Sequence, residues 1–360
     1  MKLSGGTGAV HPLQCSDHVP ASGGVANAGL GEPFLDLPLL DWHCGMDIST
    51  LNDNDSHYRL LVENRNMRAF AVALCLTLAL GACADQSSGA NDDLLVVATT
   101  SILGDIAAGV VGDEGHVEVL IPIGVDAHDF SPSSQQASML ARADLVVANG
   151  LGLEAGLEDV LASVANDGVQ VLEVAPLAPP IEFRDGGPDP HFWMDSERVG
   201  DAALVIASAL DGHHPGDWQE RAAAFSGEME TTDQEIEDLL ASVPQDQRKM
   251  VTNHEAFGYF ADRYGFEIIG VVIPGGSTLA EPSSADLGDL VEVMEQSGTG
   301  AIFAETTQPT SLAEAVAAEL GGEVEVVELF TESLGGPGSG AETLQEMLVT
   351  NAGRISETLG

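Results

Sequence analysis

Three histidines in this 360-residue chain stand where the backbone is held stiffly. His128 lies in PIGVDAHDFSP (122–132), His191 in PDPHFWMD (188–195) and His254 in VTNHEAFGYF (251–260). Imidazole is a good ligand for Zn²⁺, and three imidazoles with one carboxylate complete a tetrahedron. Such a site needs ligands whose backbone is already in position, and strand ends with nearby prolines supply that. Taken singly, each histidine is more readily read as structural; the metal reading rests on the three together. The other histidines after residue 94 read differently. His116 begins a strand, and His213-His214 falls in a solvated turn.

Three imidazoles with an open position would also serve a zinc hydrolase. His254-Glu255 begins an H-E-x-x-H pattern, but Gly258 occupies the place of the second histidine. The two ligands that motif needs on one helical face are therefore not there. No G-x-S-x-G elbow or phosphate-binding loop follows residue 94.

The elements that must position these residues alternate. LLVVATT (94–100) predicts a buried strand, with a helix opening at Ser101 as N-cap. Further strands are expected at 116–122, 144–150 and 169–174, with helices around 134–142, over GLEDVLASV (156–164) and over 196–210. After Pro215 a long helix is expected over 217–240, with Trp218, Ala222, Phe225, Met229, Ile236 and Leu240 near one face and acids opposite. The alternation then resumes, with strands at 249–253, 266–273, 300–305 and 324–330 and helices around 256–264, 284–296, 311–320 and 341–359. Apolar strands alternating with helices define the α/β class and mostly parallel sheets covered by helices. The expected architecture is two such lobes, 94–212 and 246–360, joined through 213–245 by one long rigid helix. A ligand site is expected in the cleft between the lobes, beyond the strand carboxyl ends.

Charge narrows the function. The chain carries 57 acidic and 12 basic residues, a formal net charge of −45. Nucleic-acid binding is excluded, since a phosphate backbone demands a basic face. With 44% apolar residues, the chain is not a disordered one. Such an acidic, lysine-poor surface suits a salty medium and, equally, a genome that favours Asp, Glu, Ala and Gly. Its field attracts cations loosely but cannot choose among them.

The cysteines are Cys15, Cys44, Cys75 and Cys83, and none follows. The folded body therefore holds neither a disulfide framework nor a thiolate metal site. From Met67, Arg68 precedes a 12-residue apolar run (69–80) and then Leu80-Gly81-Ala82-Cys83. That run is too short to span a bilayer and fits a signal-peptide core before a cleavage site. LGAC resembles the lipobox of bacterial lipoproteins, in which the cysteine is acylated and becomes the first residue. Residues 67–82 are thus expected to be a lipoprotein signal peptide, Cys83 the lipidated residue, and 83–93 a small, polar tether. Residues 1–66 show no sustained period, and a signal peptide would not work behind them. We expect Met67 to be the natural start and 1–66 a non-native or disordered extension.

From about residue 94 to 360 the chain resembles the metal-binding lipoproteins of ABC importers for zinc and manganese, cluster A-I (cluster 9) of the substrate-binding proteins. VVATTSILGDIAAGVVGD (96–113) is similar to that family's opening strand and helix, and GVDAHDFSPS (124–133) to its first ligand loop. ADLVVANGLGLE (143–154), DPHFWMD (189–195), NHEAFGYFADRYG (253–265), IFAETT (302–307) and LFTESLG (329–335) follow in the family's order. The resemblance implies His128 and His191 as ligands from the first lobe and His254 as the third, from the second. Glu332 stands where the family usually has an aspartate before a Leu-Gly pair, one methylene longer, so it binds with shifted geometry or leaves a water in the site. A histidine at the third position is the family's zinc pattern, since carboxylates suit the harder Mn²⁺. The transported ion is therefore expected to be Zn(II), with Mn(II) the alternative.

Ligating imidazoles usually donate their outer N–H to a carboxylate or carbonyl, and Asp126, Asp195 and Glu305 are the candidates. The long His- and acid-rich loop of many zinc-uptake members is missing here. The implied partners are an ABC permease and its cytoplasmic ATPase. The implied protein is a monomeric, non-enzymatic receptor, lipid-anchored on the extracytoplasmic face of the membrane. Attachment to surfaces, described for some members, is a secondary reading. The long helix is expected to limit hinge motion, with release coming from loosening of the second lobe.

Overall fold

The computed structural model describes residues 94–360 except Asp185, His213 and Glu323. The readings for the 1–66 extension, the signal segment 67–82, Cys83 and the tether to residue 93 lie outside the described residues.

Two four-stranded sheets, both wholly parallel, are built in turn. The first comprises β1 (Leu94–Ala98), β2 (Gly115–Val119), β3 (Leu145–Ala148) and β4 (Gln170–Glu173), in the spatial order β2-β1-β3-β4. The second comprises β5 (Lys249–Thr252), β6 (Glu267–Val271), β7 (Ala301–Glu305) and β8 (Glu325–Leu329), in the order β6-β5-β7-β8. The second sheet thus repeats the strand order of the first. Central strands β3 and β7 are buried throughout, whereas edge strands β2 and β4 are partly exposed. Parallel strands need crossovers, and helices supply them. In the first lobe these are α1 (Ser101–Val111), α2 (Ser134–Leu140) and α3 (Glu158–Asn166), and α4 (Ser196–Asp211) follows the last strand. In the second they are α6 (Gly258–Tyr264), α7 (Ser284–Ser297) and α8 (Ser311–Glu319), and α9 (Leu344–Leu359) closes the chain.

Each expected element is present, with ends moved by a few residues for local reasons. The cap of α1 is Thr100, not Ser101: the Thr100 side chain accepts the Leu103 N–H, and Ser101 begins the helix. Helix α9 starts at Leu344 rather than 341, because Thr343 and Glu346 form a reciprocal capping box there.

Between the lobes runs α5 (Trp218–Leu240), 23 residues long. Its buried residues are the six expected plus Thr232, whose hydroxyl is satisfied by the Glu228 carbonyl at 3.0 Å. The helix packs against α1 and α4 of the first lobe and against α9 of the second. Helix α9 bridges the lobes: its Asn351 and Arg354 hydrogen-bond the backbone at Phe330 and Glu328 of its own lobe, and it also packs against α5 and α1. The Leu344 N–H donates to Asp105 of α1 at 3.0 Å, and Leu344, Met347, Ala352 and Ile355 join the main core.

The core is correspondingly asymmetric. The larger cluster runs continuously through the first lobe, α5, α6, α9 and one face of the second sheet. The smaller lies on the other face of that sheet, under α7 and α8. Strand β7 divides them by its two-residue alternation, sending Ala301 and Phe303 to the large core and Ile302 and Ala304 to the small one.

Candidate metal centre

Four side chains from four loops meet between the lobes. His128 follows β2, His191 immediately precedes the short 3₁₀ turn Phe192–Met194 that leads into α4, His254 lies between β5 and α6, and Glu332 lies between β8 and α9. All leave the carboxyl edges of their sheets, where the parallel topology opens its crevices.

The chain sets the first two histidines by one local device. The Asp126 Oδ1 accepts the backbone N–H of His128 at 2.8 Å, and the Asp189 Oδ1 accepts that of His191 at 2.9 Å. An aspartate two residues upstream bends the backbone so that the ring is presented inward. His254 is held by the Thr252 hydroxyl, which donates to its carbonyl at 2.8 Å. The loop carrying Glu332 is fixed by Trp193, whose indole N–H donates to the Thr331 carbonyl at 2.8 Å.

One donor atom from each of the four residues lies within 4.8 Å of the other three. The Nε2 atoms of His191 and His254 are 3.3 Å apart. They stand 3.3 and 3.5 Å from the Glu332 Oε1, and His128 Nε2 is 4.0 Å from the Oε2. Zinc–ligand bonds of about 2.0–2.1 Å in a tetrahedron place donors about 3.4 Å apart. The observed spacings bracket that figure. All four side chains are buried. Among the described residues, His128 Nε2 and both Glu332 oxygens find no hydrogen-bond partner, the Glu332 Oε1 making only ionic contact with His191 and His254. Buried polar atoms left open cost about 1–3 kcal/mol each. Three converging on one point form a donor set suited to a cation.

The charges are mutually adjusted. Burial disfavours the His191 imidazolium, but the Asp189 and Glu332 carboxylates outweigh burial and lift its pKa to about 10. Burial pushes the Glu332 carboxyl up, yet the surrounding histidines bring it down to about 2. His254 is also raised, burial again opposing and Glu305 prevailing. His128 is lowered, chiefly by burial.

The three carboxylates expected to receive ring N–H groups behave differently. Glu305, at the end of β7, meets the His254 Nδ1 directly. Asp126 holds the His128 backbone, and its other oxygen reaches across to Thr278 and Gln308. Asp195 is not at a ring. It caps α4 by accepting the Glu197 N–H at 2.9 Å, and it pairs with Arg198 and, at 3.2 Å, with Arg263. The partner of the His191 Nδ1 is Asp189, at 2.7 Å. Asp189 was missed in the sequence although a signal existed, since Asp-x-His occurs at both 126–128 and 189–191. Phe183 and Trp193 flank the His191 ring edge-on, with centroids at 6.1 and 5.3 Å.

A buried three-histidine, one-carboxylate cluster between two parallel α/β lobes is the arrangement of a two-lobed binding protein that encloses a small ligand. Residues 96–358 match the family described as zinc-uptake complex component A, periplasmic (ZnuA), and the chain belongs to that family. The family consists of solute-binding proteins of ABC transporters, not enzymes. Among relatives, the manganese-binding lipoprotein MntA of Halalkalibacterium halodurans is 29% identical over 288 residues, covering 78% of this chain and 94% of that protein. The zinc-binding protein TroA of Treponema pallidum is 29% identical over 304 residues, covering 81% and 98%. The solved structure of the T. pallidum periplasmic zinc-binding protein TroA superposes with a TM-score of 0.69 at 28% identity, covering 74% of this chain and 99% of that one.

Proposed function

We propose that this protein captures Zn(II) with His128, His191, His254 and Glu332 and delivers it to the permease of an ABC importer, which its ATPase drives. The observation that carries the reading is the convergence of one donor atom from each of His128, His191, His254 and Glu332 within 4.8 Å of one another. Three imidazoles favour zinc over manganese, because manganese prefers harder oxygen donors. Both carboxylate oxygens of Glu332 face imidazole nitrogens, so the longer side chain still reaches the ion.

The receptor acts as a lipid-anchored monomer on the extracytoplasmic face of the membrane. Residues 67–82 serve as its signal peptide, Cys83 carries the lipid and 83–93 form the tether. Two relatives named as lipoproteins support this placement. Residues 1–66 lie upstream of the functional start.

Calorimetric titration of metal-stripped protein with Zn²⁺ and Mn²⁺ tests the assignment. Tight binding of one Zn²⁺, much weaker Mn²⁺ binding, and loss of zinc affinity in His254→Ala are expected. Equal affinity for the two ions would refute the zinc assignment, and a His254→Ala protein that binds zinc unchanged would refute the ligand set.

A further inference from the structure

Asp126 uses its two carboxylate oxygens in different lobes. The Oδ1 accepts the His128 backbone N–H at 2.8 Å, within its own loop. The Oδ2 accepts the Thr278 hydroxyl at 2.5 Å and also the Gln308 side-chain amide. Thr278 lies 152 residues away in the loop after β6, and Gln308 lies 182 residues away in the loop after β7. One carboxylate therefore presents a first-lobe histidine to the site while two second-lobe donors grip it.

A second tie leaves the same loop, where the Gly124 N–H donates to the Ser333 hydroxyl at 2.8 Å, next to Glu332. The Asp126 clasp sits at the rim of the site. Asp126 and Thr278 are buried, yet their neighbours Ile123, Val125 and Leu279 are exposed. An ion enclosed behind this rim leaves only when the two loops part, and hydrogen bonds to an ionised carboxylate are among the stronger ones that must break.

We infer that Asp126, Thr278 and Gln308 form a closure clasp that governs how fast the bound ion is released. Thr278 and Gln308 hydrogen-bond Asp126 and are not among the four converging ligand residues; they are positioning residues, acting through Asp126 on the seating of His128 and on lobe closure. The inference rests on the metal-capture reading above and adds the residues that set the lifetime of the captured state.

The test is a stopped-flow chase of Zn²⁺ from the loaded full chain into excess chelator, with capture measured separately by rapid mixing. Thr278→Val and Gln308→Leu are each expected to speed release by about tenfold, and together by about a hundredfold, from the loss of one charge-assisted hydrogen bond each. Capture should change less than about twofold, because the open form lacks the clasp. Thr278→Ser, which keeps the hydroxyl, should release at nearly the wild-type rate. Gln308 is only half-buried, so its variant is a second probe that does not depend on how the core tolerates valine at 278. Wild-type release by the double variant overturns the clasp. So does a Thr278→Ser protein as fast as Thr278→Val, since packing and not the hydrogen bond would then be at work. If the wild-type chain captures no zinc, the metal reading itself fails and the clasp with it; a chain that captures zinc but shows no variant effect fails the clasp alone.

Discussion

Zinc binding to this site should expel protons, and the structure sets how many. The perturbation is pH. In the metal-free site His191 has a pKa of about 10, burial opposing but Asp189 and Glu332 prevailing, and Glu332 is held at about 2. At pH 7 this pair is an imidazolium facing a carboxylate. Zinc coordinates only the neutral imidazole, so the proton must leave. Three pH units of competition cost about 4 kcal/mol at about 1.4 kcal/mol per unit. His254, also raised, adds to the release, whereas His128, lowered by burial, adds nothing at neutral pH. The sign follows: a group whose pKa is raised in the free site opposes binding below that pKa, so apparent affinity climbs with pH and levels off near 10. Between pH 6 and 9 the climb should be about tenfold per unit or somewhat steeper. Calorimetry in buffers of different ionisation enthalpy should find between one and two protons released per ion at pH 7. Asp189→Asn, which removes the carboxylate that holds the His191 proton, should reduce the release and flatten the climb. Zinc affinity that does not change from pH 6 to 9, with no buffer dependence of the binding heat, would refute this electrostatic account.

Other consequences can be checked separately. Glu305→Gln weakens support of the His254 ring and should lower zinc affinity by about 10–100-fold at unchanged stoichiometry, measured by chelator competition. Ile236→Ala on α5 opens a cavity in the continuous core and should cost about 2–5 kcal/mol in urea unfolding of the metal-free protein. Thr100→Ala removes the α1 cap and should cost about 1 kcal/mol in the same assay. Metal-free and zinc-bound structures should differ by lobe rotations of a few degrees only; rotation by tens of degrees would show that α5 and the shared core do not restrain the lobes.

Much of this molecule was legible in one dimension because the signals are local. Short apolar runs placed the strands, since a strand of a helix-covered parallel sheet is buried on both faces, and 3.6-residue apolar periods placed the helices, since they record which face is buried. The three histidines stood out because each is set in a turn just beyond a strand or beside prolines; the Asp-x-His pattern at 126–128 and 189–191, which carries its own hydrogen bond, was legible too but was not read. Capping placed helix ends to within a few residues, and the error at Ser101 arose because two adjacent hydroxyls could both cap while only Thr100 has the extended backbone to do so.

What the sequence by itself determined is therefore the α/β class, the two-sheet order of elements and the residue types available for a metal. The tertiary structure alone decided which side chains meet. It gave Asp189 rather than Asp195 to the His191 ring, because Asp195 is turned to the α4 terminus and drawn to Arg263. It carried α9 back onto α1 and α5, merging the lobes into one large core. It brought Thr278 and Gln308 to Asp126 across 152 and 182 residues. Periodicity and turn chemistry act within a few residues, whereas the partner of a buried carboxylate is chosen by how distant elements pack. Only the folded chain holds that information.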